Sequence, residues 1–431
     1  MKSIKQDNCY TKYYQIPEHI FNASDRAQEK AKDVFAGIDN IKEYNQIKVL
    51  NAFRQNRISE VHFQGSTGYG YNDRGRDTLE MLYADLFSTE DALVRQSITT
   101  GTHAIAIVLF GCLRPGDLLL SVTGKPYDTL DEVIGIREGS NDTGSLKDFG
   151  VSYNQIELRQ DGTPDYEAIQ AAMDRNPKMV FIQRSKGYLR RPALSVSEIG
   201  KIVKTVKSIN KDCIVFVDNC YGEFTDIQEP TDAGADVVAG SLIKNPGGGL
   251  APSGGYIAGS SEIIEMAASR YNVPGLGKET GCTLGDPRLL YQGIYMAPHI
   301  VAESLKGMVF AAAFLEEFGF ESYPKYDDVR NDIVQSLYFD NKEQLITFCQ
   351  GIQTGSPVDS FVTPTPWAMP GYDDEVIMAA GAFVQGSSLE LSMDAPIKEP
   401  YTGYLQGGLT YENVKLALMV SMKLMFDKKL L

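Results

Sequence analysis

Between residues 90 and 260 the chain alternates two patterns of hydrophobic positions. Short apolar runs, Ala92-Leu-Val-Arg95, Leu118-Leu-Leu-Ser-Val122, Met179-Val-Phe-Ile-Gln183, Cys213-Ile-Val-Phe-Val-Asp218 and Ala235-Asp-Val-Val-Ala-Gly-Ser241, are mostly unbroken by polar residues. Such runs predict strands covered on both faces. Between them lie stretches with helical character. Thr102–Leu113, opened by Thr-Gly-Thr-His, predicts a buried helix, and Arg114-Pro-Gly-Asp117 a turn. Ser195-Val-Ser-Glu198 forms a capping box ahead of Ile199, Ile202, Val203 and Val206 at helical spacing. Strands alternating with helices predict an α/β fold with a mostly parallel sheet.

Outside that window the pattern changes. Residues 1–60 are polar with a helical stretch from Glu29 to Phe53, which predicts an N-terminal helical arm. Residues 260–300 are rich in glycine and proline turns, and a long helix is expected from His299 to Glu317. Beyond residue 320 come shorter segments, Asp332–Leu337, Gln344–Phe348 and Ser388–Ser392, and a closing helix from Tyr411 to Lys423. The expected division is an arm over 1–60, a large α/β domain over 61–300, and a smaller α+β domain over 301–431.

A chain of 431 residues is too long for one compact core. Its 43% hydrophobic and 23% charged residues are ordinary for a globular protein. A net charge of −15 argues against nucleic-acid or anionic-membrane partners. No apolar run approaches the ~20 residues of a membrane span, and the N-terminus lacks a signal-peptide core. Six cysteines without a Cys-x-x-Cys pair suggest a reduced, cytoplasmic protein, and four histidines without ligand spacing argue against zinc. There is no P-loop, and Gly68-Tyr-Gly-Tyr-Asn-Asp73 lacks the third glycine of a dinucleotide fingerprint.

The candidate chemistry centres on Lys244, which follows the Ala235–Ser241 run and precedes Asn-Pro-Gly-Gly-Gly. A lysine just beyond a buried strand is poorly hydrated, so its amine is expected to be more readily neutral and able to react with an aldehyde. Asp218 ends the preceding strand. Such a pair suits pyridoxal 5'-phosphate: the carboxylate keeps the pyridine nitrogen protonated and the lysine carries the aldehyde. Gly101, Thr102 and His103 open the buried helix, where backbone N–H groups and the helix dipole can hold a phosphate, although a plain N-cap by Thr100 or Thr102 suits the same turn. Ser241, three residues before Lys244, could add a hydroxyl. Tyr127, after the Leu118 strand, can stack on a pyridine ring and move a proton. The loop Gln64–Glu80 carries Tyr69, Tyr71 and Arg74 among glycines, a composition that suits an anion clamp and a solvated turn equally.

In this order, a tyrosine/arginine loop, a Gly-Thr turn, a stacking tyrosine, Asp218-Asn219 and Ser241-x-x-Lys244, the chain resembles the fold-type I pyridoxal-phosphate enzymes of cysteine and methionine metabolism, such as cystathionine β-lyase and methionine γ-lyase. It is most similar to their methionine γ-lyase-like or "aluminium resistance" branch. The shared motifs are Thr100-Gly-Thr-His-Ala104, Ser121-Val-Thr-Gly-Lys-Pro-Tyr-Asp-Thr129, Ile182-Gln-Arg-Ser-x-Gly-Tyr188, Val217-Asp-Asn-Cys-Tyr-Gly-Glu-Phe224, Lys244-Asn-Pro-Gly-Gly-Gly249 and Gln385-Gly-Ser-Ser-Leu-Glu-Leu-Ser392. The resemblance covers essentially the whole chain. It implies an aspartate-aminotransferase-like fold with a mostly parallel seven-stranded sheet and a smaller C-terminal α+β domain. It further implies carbon–sulfur cleavage of a sulfur amino acid by β- or γ-elimination, with catalytic Lys244, Tyr127 and Asp218. Gly101, Thr102, His103, Asn219, Ser241, Tyr69, Tyr71 and Arg74 are the remaining cofactor-binding candidates. A homodimer or homotetramer is implied, with the tyrosine/arginine loop reaching the neighbouring subunit's cofactor. One departure stands out: the lyases of the wider group hold the substrate carboxylate with arginine in an Arg-Leu-Ser tripeptide, where this chain has Glu390-Leu-Ser. Arg184 and Lys398 are the candidate substitutes. An aminotransferase or decarboxylase on the same scaffold, and a cofactor-binding protein of low turnover in metal tolerance, are the alternatives.

Overall fold

The computed structural model of the chain describes residues 9–137, 144–368 and 374–431. The chain divides into two compact units, residues 43–298 and residues 1–42 with 299–431.

The first unit is built on a seven-stranded sheet of β1 (Asp91–Arg95), β2 (Leu118–Ser121), β3 (Ser152–Gln155), β4 (Met179–Gln183), β5 (Ile214–Asp218), β6 (Val237–Ser241) and β7 (Gly255–Gly259). Its order is β1-β7-β6-β5-β4-β2-β3. β2 to β6 run parallel, while β7 pairs antiparallel with β1 and β6. Every residue of β4, β5, β6 and β7 is buried, as continuous apolar runs require. The helix Gly101–Cys112 lies in the apolar core with the strands, and the helix Val196–Ile209 buries Ile199, Ile202, Val203 and Val206 behind its Ser195–Glu198 capping box. Parallel strands share one polarity, so the C-terminal ends of β2, β4, β5 and β6 open on one edge of the sheet.

The second unit holds an antiparallel sheet of β8 (Ser322–Tyr323), β9 (Val334–Tyr338), β10 (Val376–Ala380), β11 (Ser392–Pro396) and β12 (Thr402–Gln406), in the order β10-β11-β12-β9-β8. The helices Lys342–Thr354 and Tyr411–Asp427 pack in its core.

Three expectations change. The polar N-terminal stretch is three helices, Cys9–Tyr14, Glu18–Lys30 and Lys32–Gln55. Ile16, Ile20, Ala23 and Ala27 bury one stripe in the core of the C-terminal segment, so residues before 43 group with that segment instead of forming a separate arm. The 260–300 region contains two helices, Ser261–Tyr271 and the start of Arg288–Glu316, because Ser260 caps the first and Pro298 is accommodated within the second. Arg288–Glu316 is also long and apolar enough to cross a membrane, which the sequence pattern did not register, but 83% of its apolar window is buried inside the protein. Finally, β3, Ser-Tyr-Asn-Gln, is too polar to stand out as a strand and is recruited at the sheet edge by pairing with β2.

Candidate active site

β5 and β6 end side by side, with Asp218 in register with Ala239. Asp218 is buried, while Lys244, three residues beyond β6, keeps part of its surface. The Cys220 N–H donates to the Asp218 carboxylate at 3.1 Å. The turn that follows places the Tyr221 ring centroid 4.0 Å from the Lys244 amine. Tyr221 and Phe224 reach this arrangement with φ of 72° and 62°. Left-handed backbone at non-glycine residues costs about 1–3 kcal/mol each and is found where surrounding structure enforces a site.

The electrostatics of the pair run against one expectation. Burial by itself disfavours the charged Lys244, but its neighbours, Cys220 and Tyr221 first and the Asp218 and Glu223 carboxylates after them, outweigh that effect and hold the amine above its ordinary pKa. Without cofactor the lysine is therefore an ammonium ion beside Asp218, not a readily neutral amine. Burial raises the Asp218 carboxyl, and Lys244 and the Cys220 hydrogen bonds pull it back only in part. Glu223, which the sequence reading quoted but did not single out, is fully buried and pushed up to about 8, mainly by burial. One of its oxygens accepts from the Tyr256 hydroxyl at 2.8 Å, while Oε2 has no partner among the described residues. A carboxylate five residues past Asp218, in a segment of small and apolar residues, was the available signal.

The phosphate candidates divide. Thr100 caps the Gly101–Cys112 helix by accepting the His103 N–H at 2.9 Å, so that donor is committed, and the His103 ring turns back to the Thr99 N–H. The N–H groups of Gly101 and Thr102 belong to the first turn, where helix geometry provides no partner. A Cβ on Gly101 would lie 3.1 Å from Cys220 Sγ and 3.6 Å from Ser241 Cβ. The helix start, the end of β6 and Cys220 thus converge. Thr102 also pairs with Thr129 through their hydroxyls at 2.7 Å, which ties the Tyr127 loop to the helix start. The Tyr127 ring meets Tyr188 edge-on at 5.9 Å, and Gly187 lies against it. A buried carboxylate, an adjacent amine, free helix-start donors beside a hydroxyl, and a tyrosine ring form a donor set that fits pyridoxal 5'-phosphate.

Comparison with known proteins decides the assignment: residues 20–426 match the family model described as methionine gamma-lyase. The chain belongs to the methionine gamma-lyase family. This is a family of pyridoxal-phosphate-dependent carbon–sulfur lyases. Among its relatives, the YnbB protein of Bacillus subtilis (strain 168) is 54% identical over 394 residues, covering 91% of this chain and 93% of the relative. A crystal structure described as a carbon-sulfur lyase involved in aluminum resistance, from Clostridium novyi NT, is 52% identical with a TM-score of 0.92, covering 98% of this chain and 99% of that one. A cystathionine gamma synthase from Xanthomonas oryzae pv. oryzae shares the fold, with a TM-score of 0.60 at 16% identity over 88% of this chain and 98% of that one.

Within this family member several predicted site residues have other roles. Asn219 is fully buried; its side chain accepts from Arg184 at 2.8 Å and donates to Glu229 at 3.0 Å, below the strand ends. Arg184 is wholly buried as well. It pairs with Glu229 at 3.5 Å, donates to Thr225 at 3.3 Å, and passes so close beneath Gly222 that a Cβ there would be 2.5 Å from its Cδ. These contacts engage it within the protein interior, in place of the substrate grip the sequence suggested. Lys398 belongs to the other unit, where it is mostly exposed and pairs with Asp374 at 2.9 Å. Glu390 accepts the backbone N–H groups of Phe383 and Val384 at 2.7 and 2.8 Å, a task an arginine could not perform. Tyr69 and Tyr71 are exposed and stacked on each other at 5.7 Å, and Arg74 is exposed at the start of its helix. Their loop is held to the turn at 281–283 through Gly281 to Tyr69 and Thr283 to Asp73.

Proposed function

We propose that the protein cleaves the carbon–sulfur bond of a sulfur amino acid, as enzymes of the cystathionine β-lyase or methionine γ-lyase type do. The carrying observation is the Asp218–Lys244 pair at the ends of adjacent parallel strands, beside a helix start with free donors. The description of the Clostridium novyi relative as a carbon-sulfur lyase supports the same reading.

Pyridoxal 5'-phosphate bound at this edge supplies an electron sink for negative charge at the substrate Cα. Asp218 would keep the pyridine nitrogen protonated, an interaction that burial would strengthen. Lys244 is the amine that would hold the cofactor, and it is placed to carry a proton to or from the substrate Cα. Gly101, Thr102 and Ser241 hold the phosphate. Tyr127 flanks the ring, and its hydroxyl can deliver a proton to the leaving sulfur. The exposed Tyr69, Tyr71 and Arg74 fit a homodimer or homotetramer in which this loop reaches the phosphate of the neighbouring subunit. A cytoplasmic location accompanies this reading.

The test is to incubate purified holoprotein with cystathionine, cysteine, methionine and homocysteine. Thiol, ammonia and a keto acid released together are expected from at least one. A keto acid formed only when an amino acceptor is added would make the protein an aminotransferase, and no product from any of the four would remove the lyase assignment.

A further inference from the structure

Glu223 is fully buried in the turn after β5, and its contacts tie it to both flanks of Lys244. Its backbone oxygen accepts from the side chain of Asn245, the residue after Lys244, at 2.9 Å. Its carboxylate lies against β6, the strand that leads to Lys244, where a Cβ on Gly240 would be 2.6 Å from Oε1. The same Cβ would be 2.6 Å from the Tyr256 ring, so only glycine leaves room for the 2.8 Å hydrogen bond that the Tyr256 hydroxyl donates to Oε1. Three buried carboxylates, Asp218, Glu223 and Glu229, stand here with two cations, Arg184 and Lys244. Glu229 takes Arg184, the Asn219 amide and the Phe224 N–H. Asp218 is assigned to the pyridine nitrogen. Glu223 has neither kind of partner: Oε2 has none among the described residues, and the cation acting on the carboxylate is Lys244. The other titratable groups facing it are Tyr256 from β7, Tyr83 from the helix Arg74–Leu86, and Cys220 and Glu229 from the segment after β5.

We infer that Glu223 is a positioning residue that sets the charge on Lys244, holding the amine as an ammonium ion while its carboxylate is ionised and releasing it as a nucleophile when the carboxylate takes up a proton. The inference rests on reading Lys244 as the reacting amine. An ammonium ion has no lone pair to offer an aldehyde, so its proton must leave before a bond can form. In the exchange one N–H bond of Lys244 breaks, the electron pair returns to nitrogen, and an O–H bond forms on Glu223; nothing is oxidised or reduced. Asp218 does not suit this task, because a proton on its carboxylate would end its hold on the pyridine nitrogen. Burial pushes the Glu223 carboxyl up to about 8, which brings both of its forms within reach near neutrality. The carboxyl and the amine then titrate as a coupled pair.

The test reads the amine directly. Cofactor-free wild type, E223Q and E223D are labelled with acetic anhydride between about pH 6 and about pH 10. The initial rate is measured by mass on the peptide containing Lys244, relative to the exposed Lys32 of the same sample. While Glu223 is neutral the rate rises about tenfold per pH unit; once it ionises, the amine holds its proton more tightly and the rise flattens. Wild type should therefore flatten above about pH 8. E223Q should keep rising and be about tenfold faster at about pH 10, the effect of one pKa unit of coupling. Below about pH 7 the two should coincide, and E223D should retain the break. An E223Q profile identical to wild type overturns the inference. So does one displaced equally at every pH, which would make Glu223 purely structural. Should E223Q not fold, the other two proteins decide: an unbroken rise in wild type overturns the inference, and a break kept in both supports it. The readout needs neither cofactor nor turnover. A protein that shows this break but releases no thiol from any sulfur amino acid would lose the lyase reading and keep the role of Glu223.

Discussion

Asp218–Lys244 and Arg184–Glu229 are two opposite-charge pairs at the same edge of one sheet, and their surroundings give them opposite roles. Arg184 and Glu229 are both at 0% exposure; Asn219 and Thr225 accept from the two terminal guanidinium nitrogens, and the Asn219 amide and the Phe224 N–H donate to the two Glu229 oxygens. Breaking such a pair leaves a buried charge alone, so it acts as structure. Lys244 keeps a solvent-facing surface and meets a tyrosine ring, and among the described residues the Asp218 carboxylate accepts from Cys220 and is attracted electrostatically to the lysine. A charge with incomplete partners and an approach path is available for chemistry; a charge enclosed by partners is not. Glu223 lies between the two, joined to Asn219 through the Tyr256 hydroxyl and to Lys244 through space.

This contrast can be broken most directly at Lys244. Lys244→Ala should lower turnover at least about 10³-fold while the protein folds normally and retains cofactor noncovalently, and borohydride should no longer fix cofactor to the peptide around position 244. Activity above a tenth of wild type would place the reacting amine elsewhere. Arg184→Met should do the reverse. Removing one partner of the enclosed pair should cost about 3–5 kcal/mol of stability in denaturant unfolding, with KM of the remaining folded enzyme nearly unchanged. A large rise in KM without loss of stability would return Arg184 to substrate binding.

Asp218→Asn keeps the shape but removes the charge, and should slow turnover about 100-fold with little change in unfolding midpoint. The smallest effect is expected at Glu223. Its carboxyl titrates near 8 in the folded protein against 4.5 as a free group. Between those values the folded state binds more protons than the unfolded one, so this group's contribution to stability declines as pH rises from 4.5 to about 8 and is level beyond. Glu223→Gln should flatten that decline in cofactor-free protein, measured as unfolding free energy against pH. An identical slope in the variant would assign the titration to another group.

Local pattern alone determined β1, β2, β4, β5 and β6, the Ser195 cap, and the order in which Gly101, Tyr127, Asp218, Ser241 and Lys244 occur. Those features depend on near neighbours: an unbroken apolar run has one way to be buried, and a capping hydroxyl meets an N–H three residues on. What the pattern could not assign was which charges would find partners. Arg184 and Asn219 are 35 residues apart in sequence and 2.8 Å apart in space. The same holds for Lys244, whose pKa is raised by Cys220, Tyr221, Asp218 and Glu223 around it, neighbours that a strand-end position cannot reveal. It holds also for the N-terminal helices, whose apolar stripe meets a core made nearly three hundred residues later. Hydrophobic periodicity is a property of a segment, whereas hydration, pairing and access belong to the packed sheet edge, and only tertiary structure brings those groups within reach of one another.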